Sequence, residues 1–112
     1  MQYEYSIISV NPPGAGSIPV AVLLRLIAGN HLRASIRNDL KGVVNADSAE
    51  IVTASISTFM ERGASIGGAA LFADLEDTLS SFLTIGPRLQ TTSGDPEELI
   101  SAIALDHLAR LP

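Results

Sequence analysis

The chain has 112 residues, of which 46% are hydrophobic and only 17% charged, and it carries a formal net charge of −5. Its basic residues are scattered, which argues against a nucleic-acid-binding protein. No apolar run approaches the roughly 20 residues that span a membrane, and the N-terminus lacks the basic start of a secretory signal. We expect one domain over residues 1–112, located in the cytoplasm, with neither a membrane nor a nucleic acid as a partner.

The first predicted element is a strand from Tyr3 to Val10, which places Tyr3, Tyr5 and Ile7 on one side of a sheet. Residues 11–17 follow as a loop that is rich in turn-forming residues. This loop lacks the glycine spacing and the lysine of a phosphate-binding loop. We therefore interpret it as a plain connection.

A hairpin over residues 18–36 is the centre of the predicted fold. Ile18–Ala28 is dense in branched apolar residues, which favours a buried strand over a helix. Gly29 and Asn30 tolerate the backbone angles of a two-residue turn, and the alternating segment His31–Ile36 then forms the return strand.

The two-residue turn also predicts the register of this hairpin. It pairs Arg25 with Ala34 and Leu26 with Arg33. The side that carries Arg25 is otherwise apolar and is expected to face the core. Arginine is rarely buried without a partner, so we predict either a carboxylate beside Arg25 or a guanidinium group that reaches solvent past the sheet edge, with an anion-binding role as the alternative.

An apolar row remains on the other side of the first hairpin strand, formed by Val20, Val22, Leu24 and Leu26. A half-solvated strand normally alternates between apolar and polar residues, so either this chain's own helices or a second copy must cover the row. Leu105 in the last predicted helix also needs a cover. Because the chain is rather apolar for a small monomer, we predict that these five residues form the interface of a homo-oligomer, a dimer or larger.

Two helices are predicted after the hairpin. Asp47 and Glu50 have the spacing of a capping box, which starts a helix that runs to about Arg62 and stops at Gly63. The second helix is predicted for Ala69–Ser81, with a stripe of leucine and phenylalanine as its buried face.

The C-terminal part of the chain predicts one more strand and one more helix. Phe82–Thr91 is the strand, in which Pro87 favours an edge position or a bulge. Asp95 caps the last helix, Pro96 suits its first position, and Glu97–Leu111 is apolar around more than half of its circumference. The predicted fold class is therefore α+β, an antiparallel sheet of about four strands with about three helices packed on one face.

No spacing of residues in this chain is typical of a particular chemistry. The two histidines are His31 beside the hairpin turn and His107 in the last helix, and either one is a candidate acid or base for a small enzyme. Arg25, His31 and Arg33 are the candidates for contact with a ligand or an anion. The carboxylates of residues 74–77 lack the spacing of metal ligands, so we predict no metal site and no cofactor.

Two short motifs suggest a family. The chain opens on a Tyr-x-Tyr strand, Tyr3-Glu4-Tyr5, and its last helix starts with Asp95-Pro96-Glu97-Glu98. In these motifs it resembles the uncharacterised bacterial proteins called domain of unknown function thirty thirty-seven. Residues 14–19 depart from the family pattern, so no functional residue is carried over. Members are often encoded beside kinase-like proteins of the toxin–antitoxin type, and the resemblance implies a partner-binding accessory role.

The sequence predicts three functions, in order of preference. The first is a non-catalytic protein-interaction module of a small bacterial protein that self-associates through apolar sheet or helix surface, with a separate protein partner left open. The second is a protein that binds a small ligand in a pocket between sheet and helices. The third is a small enzyme that uses His31 or His107.

Overall fold

The computed structural model describes residues 1–12, 16–29, 31–37, 39–79, 82–92 and 94–107, the last three of these as backbone only. Within these ranges the secondary-structure elements, in chain order, are β1 (Gln2–Val10), β2 (Ile18–Leu26), β3 (Leu32–Ile36), α1 (Leu40–Val43), α2 (Ala46–Ile66), α3 (Gly68–Thr78), β4 (Leu83–Ile85), β5 (Leu89–Thr92) and α4 (Pro96–His107). No helix in these ranges is both long enough and apolar enough to cross a membrane.

The described strands form one antiparallel sheet, which confirms the α+β class. Its order is β3-β2-β1, and β4 and β5 both pair with the outer edge of β1. β4 and β5 lie end to end, because Ile8 stands opposite Ile85 whereas Tyr5 stands opposite Leu89. Residues 6 and 7 of β1 thus face residues 86–88, the segment that joins β4 to β5, and this extra residue makes the segment a bulge. The bulge contains Pro87, as predicted, and it splits the single predicted strand into two.

The hairpin register differs from the prediction by two residues. Arg25 stands opposite Leu32 instead of Ala34, and the ladder closes where the Leu26 amide donates to the His31 carbonyl at 3.0 Å. The predicted turn is too short because the Ile27 amide donates to the Gln2 carbonyl of β1 at 3.0 Å and does not pair across the hairpin. A shift of two keeps every side chain on its predicted face. Asn30 of the predicted turn lies outside the described residues.

The helices cover both faces of the sheet, whereas the sequence predicted helices on one face. The larger core lies between one face and the helices α2 and α3, and Leu23, Val52 and Phe72 are fully buried in it. A smaller core lies on the opposite face, where Ile100 and Ile103 of α4 pack onto the sheet. A chain of this size therefore covers both sides of its central strand by itself.

The two cores bury three of the five residues of the predicted oligomer interface. Val22 and Leu24 are 0% and 1% exposed because α4 of the same chain covers them. Val20 is also 0% exposed but lies in the larger core, because it is the extra residue between the pairs Ile8–Ala21 and Ser9–Pro19 and so changes face. Leu26 is half-buried at the edge of the smaller core. The side chain of the fifth residue, Leu105, lies outside the described residues.

The helix ends agree with the sequence in part. Asp95 caps α4 as predicted, and its Oδ1 accepts from the Glu97 amide at 3.0 Å. α2 begins earlier than predicted, because Asn45 rather than Asp47 caps it and accepts from the Ser48 amide at 2.7 Å. It also continues past Gly63 to Ile66, and Gly67, with a φ of 91°, then turns the chain towards α3. Residues 80, 81 and 108–111, predicted as helix, are outside the described ranges.

Candidate interaction surface

A cluster of charges surrounds the buried carboxylate of Glu4, and Arg25 lies within this cluster. Arg25 and Glu4 stand opposite each other on β2 and β1, with Arg25 Nε 2.8 Å from Glu4 Oε1. Their side chains are only 12% and 7% exposed. The β1 strand therefore supplies the carboxylate that the burial of Arg25 requires.

Arg88 adds a second guanidinium to this cluster. It follows Pro87 in the bulge, and its Nη1 lies 3.5 Å from Glu4 Oε1 while its Nη2 lies 2.7 Å from Glu76 Oε1. Arg25 and Arg88 lie 6.0 and 5.8 Å from the centre of the Phe72 ring, within the range of a cation–π interaction. The hydrogen bond from Arg88 lowers the pKa of Glu76, and Glu76 in turn raises the pKa of Arg88.

This cluster joins elements of the fold to one another. Glu4 and Arg25 tie β1 to β2, and Arg88 ties the bulge to Glu76 of α3. Both guanidinium groups are engaged by carboxylates of the chain itself. The geometry therefore fits the structural role predicted for Arg25 better than the anion-binding role.

The other predicted site residues are not brought together. Arg33 pairs through Nε with Glu97 Oε1 at 2.5 Å, and both side chains are well exposed, by 41% and 68%. His31 lies just before β3, and its Nε2 is buried without a hydrogen-bond partner in the described ranges. His107 is the last residue of α4, and its side chain lies outside these ranges. Among the described residues, no hydroxyl or carboxylate therefore forms a hydrogen bond with His31 Nε2. These residues also contain no group of three metal-ligating side chains.

The outer edge of β3 is a second feature, and no described strand pairs with it. The Leu26 amide donates to the His31 carbonyl and the Arg37 amide to the Val20 carbonyl, so odd-numbered residues of this segment point their backbone groups at β2. Peptide groups alternate along an antiparallel strand. The amides and carbonyls of Leu32, Ala34 and Ile36 therefore point outward, where they are able to bind another extended chain.

A groove of about 970 Å³ begins where β3 ends. One side of the groove is formed by the end of β3 together with α1, and the other side by the first half of α2. Its apolar walls include Ile36, Leu40, Ala49 and Ala54. Lys41 and Glu50, both exposed, line it as well, and these two side chains carry opposite charges. An exposed strand edge with an apolar pocket at its end is a setting in which proteins bind extended segments.

Arg37 holds the end of this groove in place, and the sequence analysis missed it. Its side chain is 3% exposed, its Nε lies 2.6 Å from Asp39 Oδ1 and its Nη1 donates to the Pro19 carbonyl at 2.8 Å. The hydrogen bond from Arg37 lowers the pKa of Asp39. An arginine and an aspartate two residues apart, directly after a predicted strand, are the sequence signal for this pair.

Comparison of the chain with protein-family models, with curated proteins and with solved structures found no match. The resemblance to domain of unknown function thirty thirty-seven therefore stays a prediction. The candidate surface consists of the outer edge of β3 and the groove at its end.

Proposed function

We propose that this protein is a non-catalytic protein-interaction module that binds an extended chain segment along the outer edge of β3. The observation that carries the proposal is the set of outward amides and carbonyls at Leu32, Ala34 and Ile36 beside the groove. Main-chain hydrogen bonds to such an edge supply affinity, and an adjoining pocket supplies specificity. The proposal keeps the interaction role that the sequence predicts and moves it to a different surface.

The move to β3 follows from the burial of the apolar row. Val22 and Leu24 lie under α4, so they offer no surface for self-association. Four large hydrophobic residues are exposed within the described ranges, and they belong to neither of the two cores: Met1, Ile51, Ile66 and Leu89. The β3 edge and its groove are the better supported binding surface.

A second candidate function is the binding of a small ligand in the groove. Its volume of about 970 Å³ is at the upper end of the range for small-molecule sites. Its apolar walls and the two charges of Lys41 and Glu50 suit an amphipathic molecule. This function makes no use of the β3 backbone, so the two candidates are separable by experiment.

The test of the proposed function uses a peptide probe and one backbone amide. The probe is a fluorescein-labelled, C-terminally amidated peptide of three valines alternating with threonines between terminal serines, and its binding is followed by fluorescence anisotropy. Ala34→Pro removes an amide that points away from β2, and an edge strand tolerates a proline there. We expect the substitution to weaken peptide binding at least tenfold.

The matched control is Ala34→Ser, which keeps the amide and changes the side chain by one atom. We expect this variant to bind the peptide as the parent does, and thermal unfolding followed by circular dichroism verifies that both variants fold. Equal binding of the peptide by the parent and by Ala34→Pro, or no binding by the parent at millimolar peptide, would overturn the proposed function.

A further inference from the structure

We infer that the partner at the β3 edge is a single extended segment with one large apolar side chain that enters the groove, and not a second folded copy of this chain. The inference rests on the proposed function and names the partner of the same surface. Three observations carry it: the helices that flank β3, the size of the edge, and the walls of the groove.

Helices flank β3 on both faces. α2 packs on one face, where its Gly63 lies against Leu32 and Leu71, and α4 packs on the other, where Glu97 pairs with Arg33. Neighbouring strands lie about 4.8 Å apart, whereas a helix with its side chains is about 10 Å wide. A second copy that paired its own β3 here would bring its α2 and α4 within one strand spacing of these helices. The helices of the two copies would overlap, whereas a segment without helices fits.

The edge is also too small for a stable dimer. β3 has five residues, so a ladder along it is about 17 Å long and one strand wide. A stable interface buries roughly 600 Å² or more on each partner. A strip about 17 Å by 5 Å is well below that area, and a short linear segment is the partner that it suits.

The groove determines which kind of side chain is favoured at one position of that segment. A chain paired with β3 has residues on the same face as the side chains of Leu32, Ala34 and Ile36, which is the face that α2 covers. The residue beside Ile36 then points into the groove, whose walls include Leu40 and Ala54. This space is large enough for an aromatic ring, and the apolar walls favour one over a polar side chain.

Two altered peptides test the inference. In each, phenylalanine replaces either the first or the last valine of the probe peptide. We expect one of the two to bind about tenfold more tightly than the valine peptide, because a larger apolar surface leaves water. Tighter binding by the first-valine peptide reports an antiparallel segment, since its N-terminal end then lies beside Ile36, and tighter binding by the last-valine peptide reports a parallel one.

Replacement of two alanines of α2 by leucine, one at a time, tests whether the phenylalanine of the peptide lies in the groove. Ala54→Leu narrows the groove from an exposed position, and Ala64→Leu adds the same side chain at an exposed position outside the groove. We expect Ala54→Leu to abolish the tenfold gain of the phenylalanine peptide while the valine peptide binds as before. Ala64→Leu is expected to change neither affinity.

The outcomes separate this inference from the proposed function. If Ala34→Pro weakens the valine peptide but neither phenylalanine peptide binds more tightly, or Ala54→Leu leaves the gain intact, the inference fails and the proposed function stands. Sedimentation equilibrium supplies the remaining outcome. A micromolar dimer that Ala34→Pro dissociates would identify a second copy as the partner and overturn the inference.

Discussion

Glu4 and Arg25 lie directly opposite each other on β1 and β2, and their side chains meet at 2.8 Å beside Phe72 of the larger core. Gly68 at the start of α3 packs against the Arg25 side chain, where a Cβ would lie 3.2 Å from the Arg25 Cβ. Arg88 approaches the same carboxylate from the bulge. A residue pair on two adjacent strands thus connects the sheet, α3 and the bulge, and its removal has measurable consequences.

Arg25→Met is expected to destabilise the fold by about 3 kcal/mol, because Glu4 stays buried with only Arg88 nearby. Methionine keeps most of the apolar side chain of arginine, so the loss reflects the charge. The free energy of unfolding is measured by urea denaturation. The double variant Glu4→Gln, Arg25→Met is expected to be more stable than Arg25→Met alone. A double variant that loses the sum of the two single losses would contradict a coupled pair.

The pKa of Glu76 is expected to lie below its ordinary value of 4.5, because Arg88 donates to its carboxylate. NMR titration of the Glu76 side-chain carboxyl measures this pKa directly. In Arg88→Met we expect it to rise to the ordinary value. A carboxyl group whose pKa is lower in the folded state than in the unfolded state stabilises the fold at pH values above its unfolded-state pKa. This contribution is lost as the pH falls through the folded-state pKa. The exposure of Glu76 limits the contribution to below about 1 kcal/mol. An unchanged pKa in Arg88→Met would show that the pair does not form in solution.

Gly63→Ala is expected to cost about 2 kcal/mol of stability, because a Cβ there would meet Leu32 Cδ2 and lie 2.9 Å from Leu71 Cδ2 inside the core. Gly42→Ala is the matched control, since its Cβ would meet nothing within 4 Å and Gly42 lies in α1. We expect this control to gain about 0.5 kcal/mol through the lower entropy of the unfolded chain. Urea denaturation compares the two variants. Equal stabilities would contradict the close approach of α2 to Leu32.

Ile103→Ala is expected to destabilise the fold by about 2 to 4 kcal/mol, because Ile103 is 7% exposed in the core that covers Val22 and Leu24. Ser101→Ala, on the exposed side of α4, is expected to change the stability by less than about 0.5 kcal/mol. Thermal and urea unfolding give both values. If Ile103→Ala costs no more than Ser101→Ala, α4 does not cover the apolar row in solution.

The candidate surface was largely outside the reach of the sequence. A strand at the edge of a sheet and a strand in its middle have similar patterns when helices cover both, so β3 was predicted as a strand without its position. Arg33 lies in the predicted strand, but its pairing with Glu97 joins residues 64 positions apart, which no local pattern indicates. The groove depends on how α2 lies against Ile36 and Leu40, and neither residue carries a sequence signal for that packing.

The sequence by itself determined the strands β1 to β3, the amphipathic helices, the bulge at Pro87, the cap at Asp95 and the face on which Arg25 lies. These are local properties, since turn chemistry, capping and side-chain alternation depend on neighbouring residues. Only the tertiary structure decided that α4 crosses to the other face and covers Val22 and Leu24, and that β3 is left at the edge. An apolar row requires a cover but does not specify which one, because hydrophobic burial depends on the area removed from water and not on the identity of the covering element.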